Sequence, residues 1–480
     1  MTRRRYDLVI IGLGSGGTLA AEFAAGTLGL RVAAVERGRI GGDCLWTGCV
    51  PSKTLIASAR VAHTVRRAGE FGISVGHPTV DTKEVWRRIR DVQSEIAATD
   101  DSPDRFRRLG VDLYSGTGQL TGPHSVTVAS AAVGSDAVRV QLDARFILVC
   151  TGSRPVSPPI AGLESIDVLT TENLFELQRP PASLVVIGGG PIAIEIAQAM
   201  VRLDVPVTVL ESAPRVLGNE QPEVADRLTR ILLDEGVLIH TSVTVESVRR
   251  VDDGVVVTTQ TGQHVAAGLL IAAGRAPNLE SLGLEQLGIP IAPDGVTVDA
   301  RSRTSVPSVY VVGDAASGRP RFAHAAANDA VFAVRDMFFP GRGGAATLVP
   351  WCTFTDPELA HVGATEQQAI ERYGSRSVDV HRHQLADNDR ARADGETEGS
   401  LVIVTAKRRI VGAHVLAPSA GEVIHELAFA ITRGIKVSQL SEIVHVYPTI
   451  STSIGRVAAD DIFATAHRYR ALARLSRWKR

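Results

Sequence analysis

Tyr6-Asp7-Leu8-Val9-Ile10-Ile11-Gly12-Leu13-Gly14-Ser15-Gly16-Gly17 is an apolar, β-branched run that stops abruptly in glycines. The run predicts a buried strand. Leu19, Ala20, Phe23 and Ala24 then fall at helical spacing before Arg31 to Glu36 reads as a second strand. Strand, helix and strand in that order make a βαβ unit. Within it Gly12-x-Gly14-x-x-Gly17 opens the helix, and Glu36 closes the second strand 19 residues after Gly17. Such glycines let the backbone approach a pyrophosphate, the helix N-terminus supplies N–H donors, and the acid accepts from ribose hydroxyls. Alone, the glycine pattern is also that of an ordinary tight turn; the strand, helix and acid around it favour the nucleotide.

The same grammar returns downstream. Leu184 to Ile187 leads into Gly188-x-Gly190-x-x-Ala193, then a helix, then the strand Val207 to Leu210 with Glu211 at its end, 18 residues after Ala193. A carboxylate there repels the 2′-phosphate of NADP and bonds the free 2′-OH of NAD, so NAD is favoured. The alternative is a structural duplication in which only one copy binds a nucleotide.

A chain of 480 residues has room for about three domains. Hydrophobic residues at 44% and charged residues at 21% exclude wholesale disorder. Fifty-one basic against 52 acidic side chains give no long-range attraction to nucleic acid or an anionic membrane. No run of about 18 apolar residues offers membrane insertion, and glycines interrupt the N-terminal apolar stretch before it can act as an export signal. Four cysteines are too few for a secreted disulfide framework, which points to the cytoplasm. Cys49 to His63 and Val85 to Leu109 read as helical, Phe146 to Val149 as a buried strand, and Ser153 to Pro159 as a crossing between domains. Leu269 to Asn278 reads as strand then turn, and Ser308 to Asp314 as another buried strand. From about Pro350, strands (Leu401 to Thr405, Ile410 to Leu416) alternate with helices (Gly421 to Arg433, Ser438 to Ile443). The basic end, His467 to Arg480, holds Leu472, Leu475 and Trp478; it reads as a solvated helix, with a membrane-surface role as the alternative.

The sharpest signal is Gly41-Gly42-Asp43-Cys44-Leu45-Trp46-Thr47-Gly48-Cys49-Val50-Pro51-Ser52-Lys53. Pro51 fits the first position of a helix, which puts Cys49 just before an N-terminus whose dipole favours a thiolate. With Cys44 in a flexible loop, the two thiols can close a reversible disulfide. They can equally be two inert buried cysteines or half a metal site. No second cysteine pair completes a zinc set, and Cys150 and Cys352 read as core thiols, so no metal ligands are assigned.

Cys-x-x-x-x-Cys-Val-Pro-Ser-Lys, the two dinucleotide motifs, Thr151-Gly152, Gly274-Arg275-x-Pro277-Asn278 and Val312-Gly313-Asp314 together resemble the FAD-dependent pyridine nucleotide-disulfide oxidoreductases, the group of lipoamide dehydrogenase, glutathione reductase and mercuric reductase. The resemblance implies an α/β protein with two Rossmann-type dinucleotide-binding domains, for FAD and NAD, plus a C-terminal α+β interface or dimerisation domain. The implied division is 1–154 and 279–347 for FAD, 155–278 for NAD(P) and 348–480 for the interface of a homodimer. It further implies that Gly12, Gly14, Gly17, Glu36, Gly42, Lys53, Gly118, Thr151, Gly152, Asp314 and Ala323 hold FAD. Gly188, Gly190, Ala193, Glu195, Glu211, Gly274 and Arg275 would serve the nicotinamide nucleotide. Lys53 and Glu195 look like the ion pair beside the reactive flavin nitrogen. In the implied relay a nicotinamide hydride reduces the flavin, two electrons pass through Cys49 into the Cys44–Cys49 disulfide, and Cys44 attacks the substrate.

The departures bear on the acceptor. Lipoamide and glutathione reductases carry His-Pro-Thr-x-x-Glu as their acid/base dyad, whereas this chain reads Tyr447-Pro448-Thr449-Ile450-Ser451-Thr452. A phenol with an ordinary pKa of about 10 is a poor base at neutral pH. Mercuric reductases are similar in placing Tyr here, yet they share a C-terminal cysteine pair and often an N-terminal metal-binding domain that this sequence is expected to lack. Pro191 stands where several relatives have a Tyr, and Trp46 either narrows access to Cys44 or packs the loop. His445 is either a substitute base, sharing a face with Tyr447 in an extended segment, or a structural histidine. His381, His383 and the run Asp387 to Glu398 read as a solvated loop. The expected function is an NADH-dependent flavoenzyme with a redox-active disulfide. The acceptor is a small-molecule disulfide, a metal ion or a quinone; a non-catalytic redox-sensing flavoprotein is the alternative from another class.

Overall fold

Leu8 to Ile11, the apolar run ahead of the first glycines, is the buried end of the strand Arg3–Ile11 in a computed structural model that describes residues 3–129, 139–339, 341, 344, 348–466 and 470. The chain divides into two units. The first comprises Met1–Gly188, Arg202–Val207 and Val245–Thr347; the second comprises Gly189–Val201, Thr208–Thr244 and Leu348–Arg480.

In the first unit Arg3–Ile11 pairs in parallel with Val32–Glu36 on one side and Arg139–Val149 on the other. Val111–Ser115 extends the sheet in parallel beyond Val32–Glu36, and Val309–Val311 adds a parallel strand along the end of Arg139–Val149. Ser125–Ala129 and Thr117–Gly122 continue it antiparallel. The two-residue period of a strand splits its side chains between two cores. Leu8, Ile10, Val32, Ala34 and Leu148 face the helices Ser15–Ala21 and Ala323–Phe338, through Ala20, Ala330 and Val334. Val9, Ile11, Val35, Ile147 and Val149 pack with Leu142, farther back on Arg139–Val149, and with Leu120 and Val126 of the antiparallel strands. Truncating a side chain buried to this extent to Ala costs about 2–5 kcal/mol. Elsewhere in the unit Leu184–Ile187 pairs in parallel with Gly268–Ile271, and Ser153–Pro155 pairs antiparallel with Arg275–Pro277.

The second unit holds the helix Pro191–Arg202 up to Val201, the helix Pro222–Asp234 and, from Thr208 onward, the strand Val207–Leu210, which pairs in parallel with Leu238–His240. Its main body is a five-stranded antiparallel sheet in the order Trp351–Thr353, Glu358–Gly363, Arg409–Ala417, Ser400–Ala406, Val378–Gln384. One face, with Ala360, Val362, Ile403, Ala413 and Val415, packs on Ile424 and Leu427 of the helix Ala420–Thr432 and on Ile454 and Val457 of the helix Thr452–Ala466.

Several expectations are corrected. Cys44 is in the short helix Gly42–Trp46 rather than a flexible loop. The next helix starts at Cys49, which makes Pro51 its third residue; the first-turn N–H groups have no partner in any helix, so proline is tolerated there as well. Val85 to Leu109 is two helices, Thr82–Ala98 and Pro103–Arg108, because Ser102 starts afresh by accepting from the Arg105 N–H. Ser438 to Ile443 is a 3₁₀ helix, Val437–Glu442. His381 and His383 lie in the strand Val378–Gln384, whose polar residues suit a sheet edge. Asp389–Asp394, expected in the solvated loop, is a helix started by the Asn388 side chain, which accepts from the N–H groups of Arg390 and Ala391. Cys150 is buried, but Cys352 is half-buried, with its thiol 3.6 Å from the Thr353 carbonyl oxygen. Leu472, Leu475 and Trp478 lie outside the described residues.

Candidate active site

In the first unit the glycine loop and the cysteine motif are built against each other. Gly12 has a φ of 95°, and a Cβ there would lie 2.5 Å from the Cys150 carbonyl oxygen. Gly42 has a φ of 54°, and a Cβ there would lie 2.8 Å from Gly14 Cα. These two positions admit only glycine, and the second brings the two motifs together backbone to backbone. Glu36 secures the loop from the next strand: its Oε2 accepts from the Leu13 N–H at 2.7 Å and its Oε1 from the Gly38 N–H at 2.8 Å. Bare backbone at a helix N-terminus beside an anchored carboxylate fits the pyrophosphate and ribose of FAD.

Cys49 is the exposed first residue of the 18-residue helix Cys49–Arg66, where the positive end of the dipole favours a thiolate. Cys44 is more enclosed. Its hydrogen bond to Cys49, its burial and the charge on Cys49 push its pKa well above that of an ordinary thiol; Asp101 adds to the shift and a hydrogen bond from Ser15 opposes it. In the dithiol Cys44 therefore holds its proton. Buried Gln93 caps the short helix by donating to the carbonyls of Leu45 and Trp46 at 3.0 and 2.9 Å. Trp46 donates to the Ile40 carbonyl at 2.7 Å beneath the Arg39 guanidinium, 4.0 Å from the ring centroid. These are the contacts of loop packing.

Three sequence motifs converge nearby. Thr151 Oγ1 donates to the Asn278 carbonyl at 2.8 Å, and Asn278 Nδ2 returns a bond to the Thr151 carbonyl at 3.0 Å. Ser153 Oγ donates to Asp314 Oδ2 at 2.5 Å and accepts from Arg275 Nε at 2.7 Å. The same guanidinium pairs with the Asp43 carboxylate, which ties the residue before Cys44 to the Gly274–Asn278 motif. Gly118 is tightly enclosed, since a Cβ would lie 3.3 Å from Ile11 Cγ2. Gly152 is open around its α-carbon, and Ala323 is the first residue of its helix.

The remaining expected residues fall as follows. Gly188 and Gly274 are in the first unit, both with positive φ, as is Lys53 on the helix Cys49–Arg66. Gly190, Ala193, Glu195 and Glu211 are in the second. Pro191 is the exposed first residue of its helix. Glu195 is buried and accepts from the Phe354 N–H at 2.8 Å. Glu211 repeats the arrangement of Glu36, accepting from the N–H groups of Gly189 at 2.5 Å and Ala213 at 2.7 Å. Tyr447 is 70% exposed, and its hydroxyl donates to Asp389 Oδ2 at 3.0 Å; that carboxylate raises the phenol's pKa. His445 does not share its surroundings. Its ring is nearly buried, with Nε2 3.1 Å from Glu426 Oε1 and Nδ1 facing Gly455.

Ser15, Gln93, Asp101 and Glu426 are not evident from the sequence as site residues. Ser15 carries a signal, its place inside the glycine loop; the others meet their partners only through the fold.

Residues 6–330 match the pyridine nucleotide-disulphide oxidoreductase family, and residues 349–458 match the dimerisation domain of that family. The chain belongs to the pyridine nucleotide-disulphide oxidoreductases, enzymes that use FAD and NAD(P)H. It is 35% identical over 463 residues to the mercuric reductase of Streptomyces lividans, covering 94% of both chains. It is 30% identical over 469 residues to the dihydrolipoyl dehydrogenase of Bacillus subtilis, covering 94% of this chain and 97% of the relative. A similar solved structure is the Cu(II) complex of the HOCl-induced flavoprotein disulfide reductase RclA from Escherichia coli, with a TM-score of 0.84 at 27% identity over 95% of this chain and 99% of that one. Among the described residues no helix is long and apolar enough to cross a membrane.

Proposed function

We propose that this enzyme takes two electrons from NADH, stores them in the Cys44–Cys49 pair and delivers them to a thiophilic metal ion. NADH and one proton reduce the disulfide to the dithiol; the dithiol then gives two electrons to one Hg(II) or to two Cu(II) ions, releases two protons and closes again. Residues 1–154 and 279–347 would form the FAD domain, 155–278 the nicotinamide domain and 348–480 the interface. Gly12, Gly14, Gly17, Glu36, Gly42, Lys53, Gly118, Thr151, Gly152, Asp314 and Ala323 would hold FAD. Gly188, Gly190, Ala193, Glu195, Glu211, Gly274 and Arg275 would serve NADH. Bound FAD supplies a two-electron relay between nicotinamide and disulfide.

The observation that carries the reading is that Cys44 and Tyr447 each hold their proton. Exchange with a substrate disulfide needs a base to take the Cys44 proton, and a phenol held by Asp389 is a donor. A metal ion removes that requirement, since coordination itself displaces protons from thiols. The mercuric reductase and the copper-bound reductase among the relatives support the same choice. Anaerobic NADH oxidation should therefore run at least tenfold faster with Hg(II) or Cu(II) than with lipoamide, glutathione disulfide or a quinone. A disulfide or quinone as the fastest acceptor would overturn the metal reading, and no turnover with any of them would leave a redox sensor.

Glu211 gives a second expectation. With its carboxylate fixed by Gly189 and Ala213, a 2′-phosphate would face a like charge that cannot rotate away. We expect kcat/KM to favour NADH over NADPH by about a hundredfold, and Glu211→Gln to shrink the margin. Equal efficiency in the unaltered enzyme would place the ribose away from Glu211.

A further inference from the structure

We propose that Glu220, His361 and His414 form a divalent-metal site of the Zn(II) type inside the second unit. Among the described residues these three can each offer a ligand atom within 4.8 Å of the other two, and all are buried. Sheet register creates the pair of rings. His361 on Glu358–Gly363 stands directly opposite His414 on Arg409–Ala417, with ring centroids 4.4 Å apart. Both face away from the helix-packed core that Ala360, Val362, Ala413 and Val415 form. Glu220 enters just ahead of the helix Pro222–Asp234.

The hydrogen bonds behind these groups are those a metal site requires. His361 Nε2 lies 2.9 Å from the Gly363 carbonyl oxygen and His414 Nε2 lies 3.2 Å from the Ala364 carbonyl oxygen. A carbonyl only accepts, so each ring donates from Nε2, and Nδ1 is left as the ligating atom. Metal-bound histidines characteristically spend their other N–H in this way. Trp351 Nε1 donates to Glu220 Oε1 at 2.6 Å, leaving Oε2 to the site, and its indole stacks on His361 at 3.8 Å and fixes that ring.

The opposing lone pairs call for a cation. His361 Nδ1 lies 2.9 Å from Glu220 Oε2, and without a positive charge between them two lone pairs would meet. A proton there would satisfy that pair but not His414 Nδ1, which is buried with no hydrogen-bond partner. One metal ion satisfies all three atoms. Two imidazoles and a carboxylate suit Zn(II), Co(II) or a similar borderline ion and leave a fourth position open. Such an ion would clamp the segment carrying Glu220 to the C-terminal sheet.

Co(II) is the probe. The FAD-loaded protein carrying Cys44→Ser and Cys49→Ser, stripped with a chelator, removes competition from the thiol pair and makes the result independent of the acceptor. It should bind one Co(II) with the visible bands of a low-coordinate N/O site and no sulfur charge-transfer band, and Zn(II) should displace it. His414→Ala and His361→Ala should each weaken binding at least a hundredfold. Glu220→Gln, which keeps the shape, should weaken it at least tenfold and decides the matter if a histidine variant fails to fold. Absence of saturable binding, or binding indifferent to these substitutions, would overturn the site.

Discussion

Cys49→Ser is expected to abolish the long-wavelength thiolate–flavin absorbance that two-electron reduction produces, whereas Cys44→Ser retains it. The asymmetry follows from where each sulfur sits. Cys49 begins an 18-residue helix and is exposed, so its thiolate is the stabilised one; Cys44 is enclosed and holds its proton through Cys49 and its own burial. Either substitution removes the disulfide, so acceptor turnover should fall by about 10³-fold or more in both variants, with NADH binding intact. An absorbance that survives Cys49→Ser would reverse the two roles.

The second large effect is expected at the dimer surface. Ile443, Val444, Val446 and Tyr447 are exposed in one chain, Val444 at 95% and Val446 at 78%, within the segment that matches the family's dimerisation domain. Four neighbouring apolar or aromatic side chains left in water mark a surface that a second copy covers. Burying one valine fully contributes about 1.5–3 kcal/mol, and an arginine in its place adds an unpaired charge. Val446→Arg should therefore weaken the dimer by about 10³-fold, read by sedimentation. If Tyr447 completes the partner's site, metal-ion reduction should fall with the dimer, while reduction of the flavin by NADH persists. A monomer with full acceptor turnover would remove Tyr447 from the site.

What is legible in the sequence is local. The glycine loop, Glu36 and the cysteine stretch are read within short windows, because a phosphate cradle and a helix-end thiol each depend on residues a few positions apart. The alternation in Leu8 to Ile11 carries both cores of the first sheet. What the sequence hides depends on register and on distant partners. Gln93 is 48 positions from Leu45, and Arg275 is 232 positions from Asp43. His361 and His414 meet only because two antiparallel strands pair in one register. The helix Asp389–Asp394 is hidden because its charges suggest a loop, while its start rests on the Asn388 side chain and its outer face on an Arg390–Asp394 pair. The sequence leaves His445 between base and brace and gives no sign of its partner Glu426, which lies on the helix Ala420–Thr432.

Electrons from NADH are expected to leave through Cys44 and Cys49. Alkylation of the unfolded protein before and after one equivalent of NADH, added without oxygen or acceptor and read by mass spectrometry of the peptide spanning Cys44 to Cys49, tests it directly. No label is expected on that peptide beforehand and two labels afterwards, with Cys150 and Cys352 labelled equally in both samples. Equal labelling of Cys44 and Cys49 before and after NADH would contradict it.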